Sequence, residues 1–482
     1  MTAAIVTSDR PDRLDGCLSS YLTDRTAPAS ILLMDDSRDP VSCIAARDAT
    51  ARAGRRFHVS VRYAGRAERE KYVNQLCREG IPEATGRFCL LGKEGDWFTA
   101  GAARNAVLLD SLGEKIVMLD DDTRGDTAVR AERSSNVILS GHEDPCDLDF
   151  FRSREEATAA VEWKSVDLFG DAERFLGTRL DLMAADSAGA CHHLRALVKD
   201  GNGVVRMTSC GVVGDSGNFS PVHLLWMASP ATTKRLRESD SILATSLSSR
   251  EVVRLVRQPT ITHAAVCMAT AIGLDNRRIL PPFLPIGRNE DGFFGNLLLR
   301  CFPEACTAHL PYAVLHQAPG HRRYQRLSND AQTIRIAELI ILLLSAYPVA
   351  PGTAPFETFR LPGAYLSEIS RSARGFVLNA REIVRAARRS LLNQIEEKWG
   401  DFDGFSDLWR TEIRQFRTRI RELIASPDCW QPLELRGMSP DGIADVTREL
   451  VSLTGDMLTY WPSIADAVPR LLSKDVRISR PV

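Results

Sequence analysis

Asp120-Asp121-Asp122 sets three carboxylates side by side, directly after the apolar run at 116–119 (IVML). Adjacent like charges cost free energy unless a cation accompanies them. Carboxylate oxygens are hard ligands that suit Mg²⁺ or Mn²⁺, and the same cations bind phosphate oxygens. Residues two apart on a strand share a face, so Asp120 and Asp122 are expected to point together. Acidic strand ends are also ordinary surface features, and the triplet by itself does not define a site. Its surroundings add to it. Gly101-Ala-Ala-Arg104-Asn105 carries an arginine on a helix that feeds into the acidic strand; Arg104 could neutralise a diphosphate, while Asn105 could stabilise the local loop or meet a ligand. Thr7-Ser8-Asp9-Arg10 and Asp35-Asp36 end two other apolar runs. Together they would build a nucleotide pocket, with backbone and hydroxyl groups at Thr7 and a carboxylate to read a base or ribose; Ser8, Arg10 and Asp121 are further candidates to bind the nucleotide.

The elements needed to position these residues show as an alternation of strand and helix signals over residues 1–125. Short apolar runs at 3–7 (AAIVT), 31–34 (ILLM) and 116–119 read as buried strands, each closed by polar or acidic residues. Between them, 12–22 has Leu14, Cys17, Leu18, Tyr21 and Leu22 at helical spacing, 66–79 is a charged helix, and 99–112 is a helix closed by Gly113. Residues 88–91 read as another short strand. Such alternation predicts an α/β fold, a mostly parallel sheet flanked by helices, with a ligand crevice along the strand ends. No Gly-x-Gly-x-x-Gly or Gly-Lys-Ser/Thr loop follows the first strand, which disfavours dinucleotide and P-loop binding. Residues 124–200 read as an acidic, loop-rich insertion. Order returns at 204–209 and 211–218, and the rigid PPFLP at 281–285 leads into Asn289-Glu290-Asp291-Gly. From about 327 onward helical periodicity dominates, interrupted at 348–355 and at Pro362.

Composition excludes several classes. The 482 residues carry 61 Lys+Arg against 62 Asp+Glu, without the basic excess of a general nucleic-acid binder. A hydrophobic content of 44% gives enough apolar surface to fold, which argues against disorder. No apolar run reaches the ~20 residues that span a bilayer; LIILLL at 339–344 fits a buried helix. Charges arrive by position 9, so the N-terminus lacks a signal-peptide core and a cytoplasmic protein is expected. Eleven scattered cysteines suit reduced thiols. Cys191-His192-His193 is better read as helix than as a metal site, because adjacent residues on a helix diverge.

IVTSDRPDRLDGCLSSYL, ILLMDDS and GAARNAVLLDSLGEKIVMLDDDT, in this order, resemble the nucleotide-binding half of a GT-A fold glycosyltransferase of the family-2 type. The resemblance is continuous over residues 1–125 and returns as islands to about 325. It implies that Asp120 and Asp122 are the DxD pair holding Mn²⁺ or Mg²⁺ against a nucleotide-diphosphate sugar, that Asp36 contacts the nucleoside, and that Arg104 is the basic residue of the aRN motif. Asn289-Glu290-Asp291-Gly-Phe-Phe-Gly resembles the family's ED motif, whose acid takes the acceptor proton. A general base must lie outside the cation's ligand set, so Asp291 is assigned, with Glu290 as its substitute. His316, in YAVLHQ, resembles a histidine that some members add to the metal shell. The 321–326 stretch (HRRYQR) could close over the diphosphate as a basic lid, and 214–218 could lie near donor sugar and acceptor.

These correspondences imply a catalytic domain at 1–325 (nucleotide-binding half 1–125, acceptor-side half with insertion 126–325) and a helical domain at 326–482. The expected reaction is metal-dependent hexosyl transfer with inversion. The acceptor could be a peptide, a small natural product or a glycan. A nucleotidyltransferase of the pyrophosphorylase type would need a Gly-rich, Lys-containing loop where this chain has Ser8-Asp9-Arg10-Pro11. A non-catalytic glycan-binding or scaffold protein would have no reason to combine the three motifs. Processive synthases add Gln-x-x-Arg-Trp and membrane helices, both absent from this sequence. The arginines at 371, 374, 381, 385, 388 and 389 read first as a solvated helix face, and the C-terminal helices could serve homo-oligomerisation or acceptor recruitment.

Overall fold

Four apolar segments form the strands β1 (Thr2–Thr7), β2 (Ser30–Asp35), β3 (Ser60–Ala64) and β4 (Lys115–Asp120), all parallel, in the order β3-β2-β1-β4. The computed structural model describes residues 1–23, 27–95, 97–131, 134–320, 322–331, 334–350, 352–354, 356–399 and 406–482. β1 and the inner residues of β2 and β4 are buried on both faces, which is why they read as continuous apolar runs rather than alternating ones. Beyond β4 the sheet becomes mixed. Ala271–Asp275 runs antiparallel to β4, the long strand Val204–Asp215 antiparallel to that, and Ala305–His316 parallel to Val204–Asp215. Two antiparallel steps restore the direction of β4. The C-terminal ends of β1, β2, β4, Val204–Asp215 and Ala305–His316 therefore open on one edge. Register aligns that edge: Val6 lies opposite both Met34 and Asp120, and Gly214 opposite His316.

The helices that cover this sheet follow their apolar faces. Pro11–Leu22 buries Leu14, Cys17, Leu18, Tyr21 and Leu22, as its spacing predicts. Pro40–Phe57 escapes the strand–helix reading, although Asp39 caps it by accepting from the Ser42 N–H and Pro40 occupies its first turn. The expected strand at 88–91 is instead the end of the helix Glu83–Leu91, because Phe88, Cys89, Leu90 and Leu91 are all buried and a short apolar run carries no period. The 124–200 segment is not loop-rich. It contributes the strands Thr123–Val129, Val137–Ser140 and Asp147–Phe151 and the helices Leu168–Phe175 and His192–Lys199; their charged exposed faces obscure the pattern. Order at 204–209 and at 211–215 belongs to one strand, Val204–Asp215.

The C-terminal region is helical, with Ile336–Ser345, Glu357–Ile369, Ala373–Trp399, Asp407–Ala425 and Pro440–Leu472. Pro362 lies inside Glu357–Ile369 and does not interrupt it. Ile336, Leu339, Leu450, Trp461 and Val468 share one buried core with residues of β1, β2 and β4, so the helices and the sheet are packed as a continuous layer. The Trp461 indole N–H donates to the Leu280 carbonyl at 2.7 Å. A second contact joins the hairpin of Ala373–Trp399 and Asp407–Ala425 to Leu224, Leu225, Leu236 and Leu243. Among the helix arginines, Arg388 is buried, whereas Arg381 and Arg385 donate to carbonyls at 424–427 that end the neighbouring helix. No helix among the described residues is long and apolar enough to cross a membrane.

Candidate functional site

Arg104 organises the acid-bearing edge. Its helix, Ala100–Asp110, is buried from Gly101 to Asp110, and Gly101 is what lets it sit there. A Cβ on Gly101 would fall 1.8 Å from the Leu284 carbonyl oxygen, so any other residue would push the helix away from the 284–290 segment. Asn105 fastens the same contact: its side chain accepts from the Phe283 N–H at 2.7 Å and donates to the Phe283 and Cys89 carbonyls. It serves as a loop staple. With the two segments pressed together, Arg104 donates to Asp120 at 2.7 Å while its Nε lies 3.5 Å from Glu290. Residues 170 positions apart in sequence thus share one guanidinium.

The triplet divides its tasks. Asp121 turns inward, accepting from the Thr7 hydroxyl at 2.7 Å, and faces Arg10 at 3.4 Å. Burial, with the charges of Asp122 and Asp120, pushes its carboxyl up to about 6. Asp122 faces Arg10 at 3.3 Å and the His316 Nε2 at 3.4 Å. Burial works against its charge, but the His316 hydrogen bond and the charges of His316, Arg10 and Arg13 outweigh it and hold Asp122 down at about 2. Asp120 is raised by desolvation and by Asp122, against the pull of Arg104. The His316 Nδ1 lies 2.6 Å from the Asp215 carbonyl. Donation from Nδ1 to that carbonyl leaves Nε2 directed at Asp122, the arrangement found behind metal-ligating imidazoles.

Among the described residues no group of three His, Cys, Asp or Glu side chains is assembled as a metal site. The donor chemistry nevertheless fits a hard divalent cation, since Mg²⁺ is commonly bound through one or two carboxylates with substrate phosphates supplying further oxygens. Asp120 and Asp122 are the two carboxylates available, with His316 adjacent.

Glu290 and Asp291 begin the helix Glu290–Cys301. Burial, and then the charge of Asp291, push Glu290 up to about 7, while Arg104 pulls it down. Asp291 is less buried and is aimed by two backbone donors, Ala269 N–H at 3.2 Å and Gly292 N–H at 2.8 Å. Its carboxyl is also raised, chiefly by desolvation. Glu290 is therefore turned into Arg104, whereas Asp291 is the less buried of the two acids.

The other expected residues are placed differently. Asp36 is buried against Arg69 at 2.6 Å and Arg66 at 2.7 Å, with its second oxygen accepting from Thr99. Both oxygens have protein partners, so the carboxylate is held in place by the fold. The Ser8 hydroxyl reaches only the Asp36 carbonyl, at 3.4 Å. His321 lies outside the described residues. Arg322 is drawn to Asp215 at 3.0 Å and Tyr324 Oη lies 2.7 Å from Ser216 Oγ, so these residues are tied to the loop at 214–218. Asp215 is the member of that loop that reaches the site. It is fully buried between Arg250, at 2.9 Å, and Arg322, and its carbonyl orients His316. The glycines beside it, Gly214 and Gly217, were its only signal. Neither the protein-family models nor the curated proteins contain a match to this chain.

Proposed function

We infer that the protein is a metal-dependent glycosyltransferase of GT-A type, moving a sugar from a nucleotide-diphosphate donor to an acceptor with inversion. The observation that carries this reading is that Asp120 and Glu290 share Arg104, each with a second acid beside it. Asp120 ends a parallel strand with Asp122 following, and Glu290 begins the helix Glu290–Cys301 with Asp291 next to it. An acid surplus of this kind suits a cation on one flank and a proton acceptor on the other. Asp120, Asp122 and His316 would hold Mn²⁺ or Mg²⁺, which when bound supplies charge neutralisation for a leaving diphosphate. Arg104 opposes the desolvation of Asp120 and holds it in place. Thr7 and Arg10 fix Asp121, so that it braces the turn rather than competing for the cation. Asp291, outside that ligand set, accepts the proton of the acceptor's hydroxyl, thiol or amine. The freed electron pair forms the new bond to the anomeric carbon, and the bond to the diphosphate oxygen breaks with its pair leaving on the diphosphate. One displacement inverts the centre.

A panel of nucleotide sugars tested by thermal shift with and without Mn²⁺ decides the matter. Metal-dependent stabilisation by one donor supports the reading. No response from any donor overturns it.

A further inference from the structure

Arg10, Arg322, Arg288 and Arg335 lie close enough together at the acid-bearing edge to feel one another's charge. Arg10 faces Asp121 and Asp122, and Arg322 faces Asp215. Arg288 and Arg335 form no ion pair among the described residues. Each is held by an aromatic ring instead: the Arg288 guanidinium carbon lies 4.5 Å from the Phe98 ring centre, and that of Arg335 lies 3.9 Å from the Phe219 ring centre. Phe98 and Phe219 are 36% and 39% exposed, large apolar rings left in loops at the same edge. An aromatic face orients a guanidinium through its π system and leaves the in-plane N–H donors free. The Arg335 Nε is buried without a hydrogen-bond partner, a cost that an incoming acceptor oxygen would remove. The cationic groups also oppose one another: burial depresses Arg288, Glu290 counteracts it, and the charges of Arg335, Arg322 and Arg10 lower it further.

We propose that Arg288 and Arg335 form an oxyanion clamp on the acceptor side of the site, taking a carboxylate or phosphate group carried by the acceptor. Their origin in the fold assigns the side. Arg288 sits on the loop that delivers Glu290 and Asp291, and Arg335 precedes the helix Ile336–Ser345. Neither belongs to the ends of β1, β2 or β4, where a nucleotide would lie, and the arginine that does, Arg10, is already matched by Asp121 and Asp122. Planar forks suit a planar or tetrahedral oxyanion through paired N–H donors. Only the word acceptor rests on the glycosyl-transfer reading; the clamp itself does not.

The test is titration calorimetry on the full chain in EDTA, with inorganic phosphate and separately with malonate. It is followed by titration of UDP and GDP in Mn²⁺. At least one oxyanion binds the wild type, and Arg288→Gln and Arg335→Gln each weaken it about tenfold, the scale of one charge-assisted contact. Arg335→Lys, which keeps the charge and loses the fork, is weakened as well. Affinity for the nucleoside diphosphate stays within about twofold. Melting curves of the variants establish that they are folded. Absence of oxyanion binding to the wild type, or undiminished binding to the double variant, overturns the clamp. A parallel loss of nucleoside-diphosphate affinity moves the arginines to the donor and overturns the acceptor-side assignment. Oxyanion binding that depends on both arginines, in a protein that binds no nucleoside diphosphate, sustains the clamp and sinks the transferase reading instead.

Discussion

The acids that end β2 and those that end β4 flank the same strand, β1, and differ in how their charge is met. At β2, the Asp36 carboxylate receives Arg69, Arg66 and the Thr99 hydroxyl, and Arg69 is itself fully buried. Three protein donors already meet that charge. At β4, five carboxylates (Asp120, Asp121, Asp122, Glu290 and Asp291) gather around Arg104, Arg10 and His316; desolvation acts on all of them, and all but Asp122 are raised above their ordinary values. A matched buried ion pair is a structural device whose loss unfolds the protein. An unmatched acid cluster is costly in the folded state alone, and such residual strain collects where a protein binds or reacts.

The comparison breaks first on activity. Asp122→Ala is expected to lower turnover of a nucleotide-sugar donor by on the order of 10³-fold, the scale of removing one charge-stabilising group. A steady-state rate equal to wild type removes Asp122 from the site. At the other strand end, Asp36→Asn leaves Arg69 buried without its counter-charge and should cost about 3–5 kcal/mol of stability. Urea unfolding measures it, and a loss below about 1 kcal/mol would show that Asp36 is not committed to the fold.

A third, smaller effect separates the two clusters by pH. Glu290 releases its proton near pH 7 in the folded chain, against 4.5 as its ordinary value. The folded state therefore binds more protons between those limits, so this stabilisation is complete below about pH 4.5 and is lost as pH rises through 7. Glu290→Gln stays neutral, and its stability to urea should gain on wild type from pH 5 to pH 8, by about 2 kcal/mol. A difference constant with pH would contradict the burial of charge at Glu290. The smallest effect is the cation's own. At about ten times its Kd, Mn²⁺ adds roughly 1.4 kcal/mol, a rise of a few degrees in the wild type that Asp122→Asn should lack. An equal rise in both places the cation elsewhere.

Much of this arrangement is legible in the residues themselves. β1, β2 and β4 announce themselves because strands buried on both faces must be apolar throughout, and the Leu14–Leu22 spacing fixes one helix. The failures share a cause. The run at 88–91 has no period because every side of its helix is buried, and the segments between 124 and 200 lack a pattern because their outer faces are charged. Gly101 is visible in the sequence, but its reason, the Leu284 carbonyl 1.8 Å from any Cβ, is a contact across 183 positions.

By itself the sequence determined which acids end which strands, since the alternation of apolar runs and carboxylates is local. Charge compensation is not local. That Arg104 is shared by Asp120 and Glu290, that Asp36 is met by Arg66 and Arg69, that Asp215 aims His316, and that Arg288 and Arg335 lie over aromatic rings without an ion pair among the described residues are all outcomes of distance between segments far apart in the chain. Coulombic and hydrogen-bond energies fall off over a few ångströms, so only the tertiary structure decides which of 61 basic and 62 acidic residues meet and which are left for a ligand.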